Sequence, residues 1–312
     1  MSVIHAFIES FPGAVAQGLI WGIMAIGVYI TYKIMDIADL TVDGSLCTGG
    51  AVCIVMMIRG YNVWFAMLGA LCAGLLTGLA TGFFHTVFGI PAILAGILTQ
   101  LSLYSINLKI LGKANQAINV DKYNLLVSLR YIRNVAFHKN TIFIVFVLLV
   151  VLIGVLYWFF GTELGCSLRA TGCNANMSRA QGINTNRNKV LSLMLSNGLV
   201  ALSGALLSQY QGFADVNMGR GAIVIGLAAV IIGNAVFQRL FHNFALKLCA
   251  VAVGSIIYYL VFQFAICLRI DTDLLKLLSA LVVAIFLGFG NIKVGCHNLV
   301  MSIRARKEKG EM

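Results

Sequence analysis

Charged residues are missing from long stretches of the chain, and those stretches predict its architecture. Residues 60–108 contain no Asp, Glu, Lys or Arg. As helix they would extend about 70 Å, more than twice the ~30 Å hydrocarbon core of a bilayer, so two spans must share the run. Further uncharged runs cover residues 10–32, 140–162, 190–214, 221–238, 248–268 and 277–292. Each approaches or exceeds the roughly 20 residues that a helix needs to cross a membrane, and only helices or closed barrels satisfy their own backbone groups in lipid. The pattern predicts an all-α, polytopic membrane helical bundle of about nine transmembrane segments (8–10), at 14–34, 40–58, 62–84, 88–110, 141–160, 190–210, 221–238, 245–268 and 273–290. The second is short and carries Asp39 and Asp43 at its start. It reads as a full span or as a broken, re-entrant segment covered by protein or a cavity. The first stretch reads as a retained span, because it has neither a basic leader nor a small-residue cleavage site.

Composition agrees. Of 312 residues 60% are hydrophobic and 11% charged, against about 25% charged in soluble globular domains. That excludes a soluble fold and, with it, disorder and a disulfide-stapled secreted domain. The net charge of +11 would raise the question of nucleic acid in a soluble protein. Here it sits in the connections between spans and is a signal of topology. Residues 163–189 carry Arg169, Arg179, Arg187 and Lys189 against Glu163, and the tail at 293–312 is also basic. Both are expected on the cytoplasmic side. Four spans separate them, which returns the chain to the same side and places the N-terminus outside. The connection 111–140 disagrees: it is basic, yet should lie outside. Either a span is miscounted, or residues 123–137 form an amphipathic surface helix that offsets the bias, the reading preferred here.

The chemistry that is absent narrows the function. Around Gly112-Lys113-Ala114 a phosphate-binding loop lacks its first glycine and its hydroxyl, so the chain is not expected to hydrolyse ATP by that route. The eight cysteines and five histidines have no metal spacing, and no cofactor, metal or catalytic residue is expected. Gly74, Gly78 and Gly82, like Gly18 and Gly22, repeat at four-residue spacing, which lets helices approach closely in lipid. Gln100, Ser102, Asn107, Ser196, Asn197 and Gln209 fall within spans; each needs either an interhelical hydrogen bond or a polar cavity.

Two punctuated segments add more. Ala38-Asp39-Leu40-Thr41-Val42-Asp43-Gly44-Ser45 interrupts two apolar runs. Asp43 is expected to cap the helix that follows, with that helix end at membrane depth or its edge. Half-helix ends beside a cavity are a recurrent binding device in transporters, while a plain turn remains the alternative. Asp39, Thr41, Asp43, Gln100 and Asn107 are the candidate pathway residues. In the second segment, residues 162–186, a break is expected at Gly172, with Asn174 capping a short helix that runs to about Gln181 and ends at Gly182. Such a helix suits a groove on a partner protein.

Together these segments resemble the permease subunits of ABC importers of the branched-chain amino acid, ribose and related sugar family. The first is similar to that family's D-L-S-V-G-S element and the second to its R-A-x-G-x-N-x-x-x-A-x-x-x-G-I-N segment. The likeness continues through Ser203-Gly204-Ala205 to Gly226 and Asn234, covering most of residues 14–290. Asp43 before Gly44, and Asn234 in place of a second glycine, depart from the common pattern and resemble a branch for aromatic amino acids. The resemblance implies a type II-importer-like permease spanning residues 1–312 as one domain, multi-pass in the bacterial plasma (inner) membrane, with a cytoplasmic C-terminus. Its implied partners are ABC ATPase subunits, an extracytoplasmic substrate-binding protein, a second permease copy and the lipid bilayer. It also implies that residues 162–189 couple the ATPases to the spans, through Arg169, Gly172, Asn174, Arg179, Gln181 and Gly182. A stand-alone secondary transporter or channel is the competing class; the absence of buried acids suited to ion coupling counts against it. A membrane enzyme or a scaffold has still less support.

Overall fold

Helices take up the uncharged runs. The computed structural model describes residues 3–120, 123, 125–132, 140–237 and 243–268, with isolated positions 274, 277, 280, 281 and 284. Its helices are α1 (Val3–Tyr29), α2 (Val42–Ile58), α3 (Val63–Thr86), α4 (Ala92–Leu111), α5 (Thr141–Gly161), α6 (Glu163–Cys173), α7 (Ala175–Ala180), α8 (Thr185–Gln211), α9 (Ala222–Phe237) and α10 (Phe244–Cys267). Apart from those isolated positions, the expected span 273–290 lies outside the described residues, as does the tail 293–312. Among the described residues six helices, α1, α3, α4, α5, α8 and α10, are long and apolar enough to cross a bilayer. The surfaces of α3, α4 and α5 expose Phe65, Leu76, Leu101, Val151 and Trp158, an apolar exterior that water would not favour and lipid does.

The centre of the bundle is the antiparallel pair α1 and α8. Three carbonyls of α1 accept from α8 side chains along its length: Gly27 from Ser196 (2.7 Å), Ile20 from Ser203 (2.8 Å) and Gly13 from Tyr210 (3.3 Å). α3 lies against α8 through the predicted glycine stripe, with Gly74 on Asn197 and Ala201, Gly78 on Leu193 and Met194, and Gly82 on Val190. Gly18 and Gly22 seat α1 in the same way on Ile256, Ser255 and Ala252 of α10. Without a side chain at these positions, backbones approach to distances that dispersion and weak C–H contacts can exploit.

The two ends of the bundle differ. One carries α6 and α7. The other carries a two-stranded antiparallel ribbon, β1 (Asn115–Ala117) with β2 (Phe213–Asp215), in which Gln116 faces Ala214. The described part of the connection 111–140 thus lies at the end opposite residues 163–184, with the one helix α5 between them. Its described part is not the expected surface helix. Residues 125–132 form an extended strap and a 3-10 turn at Leu129–Ile132, with Leu125 and Val127 buried. Leu126 N–H donates to Gln209 Oε1 (3.2 Å) and Thr141 Oγ1 to the Ser128 carbonyl (2.8 Å). These anchors fix the segment against the bundle, with Leu125, Val127 and Ser128 all buried. Residues 133–139 lie outside the described part.

α2, of 17 residues, and α9, of 16, are half-helices. After a π-helical turn at Ile30–Ile34 the chain folds back, so that Gly96 of α4 packs on Leu40 and Thr41, and Gly44 meets Gln100 and Leu103. Those two residues sit near the middle of α4, so α2 starts at mid-depth and runs toward the ribbon, where Cys53 approaches Gln209. α9 starts at the same level, because Gly219 packs on Asp43 and Cys47. It then runs the opposite way, past Met24 and Val28 of α1 to Ala250 of α10. The expected span 221–238 is therefore helical over Ala222–Phe237, but begins halfway through the bundle.

Candidate functional site

The N-termini of α2 and α9 meet at mid-depth, and Asp43 joins them. Its carboxylate does not cap its own helix as expected, because Asp43 already lies inside the first turn of α2. Instead it accepts from the backbone N–H groups of Gly221 (2.9 Å) and Ile223 (3.0 Å) at the start of α9. A carboxylate there satisfies donors that the helix leaves open and meets the positive end of its dipole. Beside this junction lies a cavity of about 400 Å³ lined by Asp43, Cys47, Gln100, Tyr104, Asn107 and Arg220 among others. Asn107 is 1% exposed. Its Nδ2 makes one long hydrogen bond to the Gly44 carbonyl (3.5 Å), and its Oδ1 has no partner.

Asp39 and Thr41 are placed elsewhere, in a sealed polar cluster between α2, α3, α4 and α8. Asp39 Oδ1 accepts from Thr41 N–H (2.9 Å) and Oδ2 from Asn197 Nδ2 (2.7 Å). Asn197 Oδ1 accepts in turn from Ser45 Oγ (2.6 Å), which also pairs with Thr77 Oγ1 (2.8 Å). Thr41 Oγ1 pairs with Thr81 Oγ1 (2.7 Å), and that hydroxyl with Thr99 Oγ1 (3.0 Å). Every member is buried, and each polar atom that faces inward is matched, which is the condition for carrying a carboxylate inside a bundle. The cluster locks the re-entrant segment in place under the cavity; it does not line it. Of the in-span polar residues, Ser196, Asn197 and Gln209 make interhelical bonds, while Ser102 bonds only to its own helix, at Leu98 (2.9 Å).

At the other candidate surface, α6 runs through Gly172 without a break and stops at Asn174, whose extended backbone ends one helix while its Oδ1 accepts from Met177 N–H (3.0 Å) to start α7. Gly172 has a different task. A Cβ there would collide with the Ile34 carbonyl, so glycine lets α6 lie directly on the π-helical turn that continues α1. Gly182, at φ +81°, ends α7 in the left-handed conformation that glycine adopts most readily. Asn188 of α8 donates to Ser167 (2.7 Å) and Thr171 (2.8 Å) of α6, and Arg179 reaches Thr185 (3.2 Å) at the head of α8. Arg169 stands over the Phe244 ring, 6.0 Å from its centroid. Arg169, Met177, Arg179 and Gln181 remain exposed. The result is a capped, rigid two-helix element tied to α1, α8 and α10, with one face open.

Sequence reasoning missed Arg220 and the hydroxyl cluster. A single arginine before an uncharged run reads as an interfacial residue, and its mid-depth position follows only from the packing of Gly219. Thr77 and Thr81, one turn apart in α3, were the available signal for the cluster.

A family model described as a branched-chain amino acid transport system permease component matches residues 12–289. The chain is 39% identical to a tyrosine transport system permease protein of Clostridioides difficile, over 94% of this chain and 96% of that one. It is 33% identical to the uncharacterized protein RP368 of Rickettsia prowazekii, over 90% and 96%. It is 24% identical to the fructose import permease protein FruF of Bifidobacterium longum, over 86% and 73%. With apolar helices to match, the chain belongs to this permease family, and it is a multi-pass membrane subunit of an ABC importer.

Proposed function

We propose that the chain forms the pathway for an amino acid, an aromatic one favoured, delivered by an extracytoplasmic binding protein at the ribbon end. ABC ATPase subunits seat on α6 and α7 at the cytoplasmic end, and two permease copies enclose the pathway in the bacterial inner membrane. The observation that carries this reading is the junction at Asp43, where two half-helices open a polar cavity at mid-depth beside Gln100 and Asn107. Interrupted helices of this kind place backbone dipoles and polar side chains where a solute must cross. Asp39 and Thr41 serve the same pathway by holding the re-entrant segment that presents Asp43. Arg169, Gly172, Asn174, Arg179, Gln181 and Gly182 form or shape the ATPase-facing element. Support for the substrate class comes from the relative named as a tyrosine permease.

The test is uptake of radiolabelled L-tyrosine, L-leucine and D-ribose by cells expressing the chain together with a candidate ABC ATPase and extracytoplasmic binding protein. Tyrosine uptake that stops on ATP depletion and survives collapse of the ion gradients is expected. Uptake that follows the gradients would instead establish a secondary transporter, and preferential ribose uptake would overturn the amino-acid assignment.

A further inference from the structure

We infer that the junction cavity is a subsite for the zwitterionic head group of a free α-amino acid, with Arg220 receiving the carboxylate and the side-chain carbonyl of Asn107 the ammonium group. The inference rests on the importer reading above and assigns roles within it.

Two groups in the cavity lack their complement. Asn107 Oδ1 is buried and accepts no hydrogen bond, a condition rare enough in folded proteins to need a reason. Turning the amide over would not cure it, since Nδ2 would leave the Gly44 carbonyl and Oδ1 would then oppose it. Arg220 is the second. It follows Gly219, which is packed on Asp43 at mid-depth, and no carboxylate stands within ion-pair distance of it among the described residues. The nearby acid, Asp43, already directs both oxygens to backbone N–H groups of α9. An exposed arginine on the wall of a mid-depth cavity, with acids nearby but no ion pair, is suited to a solute path. Guanidinium matches a carboxylate through paired N–H donors, and a free amide oxygen matches an ammonium. One cationic position and one acceptor position in the same cavity select a molecule bearing both charges over an amine or an acid alone. Leu101 and Val216, also on the cavity wall, leave room for an apolar side chain.

The full chain in lipid nanodiscs, probed by saturation-transfer NMR, tests this with three ligands: L-tyrosine, tyramine, which lacks the carboxylate, and 3-(4-hydroxyphenyl)propionate, which lacks the amine. The wild type is expected to bind tyrosine at least tenfold more tightly than either analogue. Arg220→Gln should weaken tyrosine and the propionate at least tenfold and leave tyramine unchanged. Asn107→Leu should weaken tyrosine and tyramine and leave the propionate unchanged. Because Asn107→Leu removes an unpaired buried acceptor, its melting temperature should equal or exceed the wild type's; Asn107→Ala serves as a second variant of smaller volume. The proposal is overturned if either variant shifts all three ligands equally or shifts none, or if the analogues bind as tightly as tyrosine. Should the wild type bind none of them while ATP-dependent tyrosine uptake persists in cells, the subsite is wrong and the importer reading stands. Absence of that uptake, whatever the binding, removes the importer reading itself.

Discussion

Asp39 and Asp43 are four residues apart and do opposite work. Asp39 is closed off by Thr41 and Asn197, while Asp43 reaches out to start another helix. Taking one hydrogen-bond donor from a buried acceptor costs about 1–3 kcal/mol, and more where that acceptor is a carboxylate left behind unsatisfied. Asn197→Leu is therefore expected to lower the thermal midpoint of the detergent-solubilised chain severely. Asp43→Asn keeps one of the two acceptor oxygens at a helix start and loses the other bond with the charge assistance, about 1–2 kcal/mol. A midpoint lowered as much by Asp43→Asn as by Asn197→Leu would contradict this division. That both acids matter was legible in the polar interruption of two apolar runs. Their roles were not, because Asn197 lies 158 residues from Asp39, and Gly221 lies 178 from Asp43; local pattern carries no information on partners so distant.

At the scale of elements, the glycine stripe of α3 shows what spacing does reveal. Small residues one turn apart have few uses in lipid other than close packing, and the stripe meets α8 along its length. Spacing does not rank the three positions, whereas the structure does. A Cβ on Gly78 would meet the backbone of Leu193 and lie 2.6 Å from Met194 Cα, whereas one on Gly82 meets Val190 at 3.0–3.1 Å. At Gly78 all three neighbours are backbone and far too close to yield without parting the helices, whereas at Gly82 the one backbone neighbour, Val190 Cα, stands at 3.0 Å and the rest is side chain, so a shift of a few tenths of an ångström is enough. Gly78→Ala should cost about 1–3 kcal/mol, as overpacking does, and Gly82→Ala distinctly less, read as the shift in midpoint of each variant in the same detergent. Half-helix α9 shows what composition hides. Residues 221–238 are as apolar as a crossing helix, since lipid and the protein interior demand the same side chains, and only the seat of Gly219 on Asp43 shows where the helix begins. Gly172 was misread for a related reason: glycine marks both helix breaks and close approaches, and here the second applies.

For the whole molecule, charge in the connections sets the expected topology, and the ribbon puts Asn115–Ala117 at the end opposite α6 and α7, where that count expects the basic segment to lie. Orientation follows as a prediction: Cys173, exposed where α6 meets α7, should react with a membrane-impermeant maleimide in inverted vesicles and be protected in intact cells. The same end bears the most consequential expectation. α6 and α7 are fastened to α1 by the contact of Gly172, to α8 by Asn188 and Arg179, and to α10 by Arg169 over Phe244. A displacement imposed on this element is thus passed to whole helices, including α1 and α8 at the centre, and packed interfaces answer in discrete shifts. Arg179→Glu would reverse the charge on the open face and release the tie to Thr185, and Gly182→Glu would in addition force a side chain into a left-handed conformation, about 1–2 kcal/mol of strain. Neither substitution lies in a spanning segment, so both variants should insert and fold. In vesicles containing the assembled importer, ATP should still be hydrolysed while uptake of its solute falls at least tenfold. Variants that bind the ATPase and transport at the wild-type rate would show that force reaches the spans by another route.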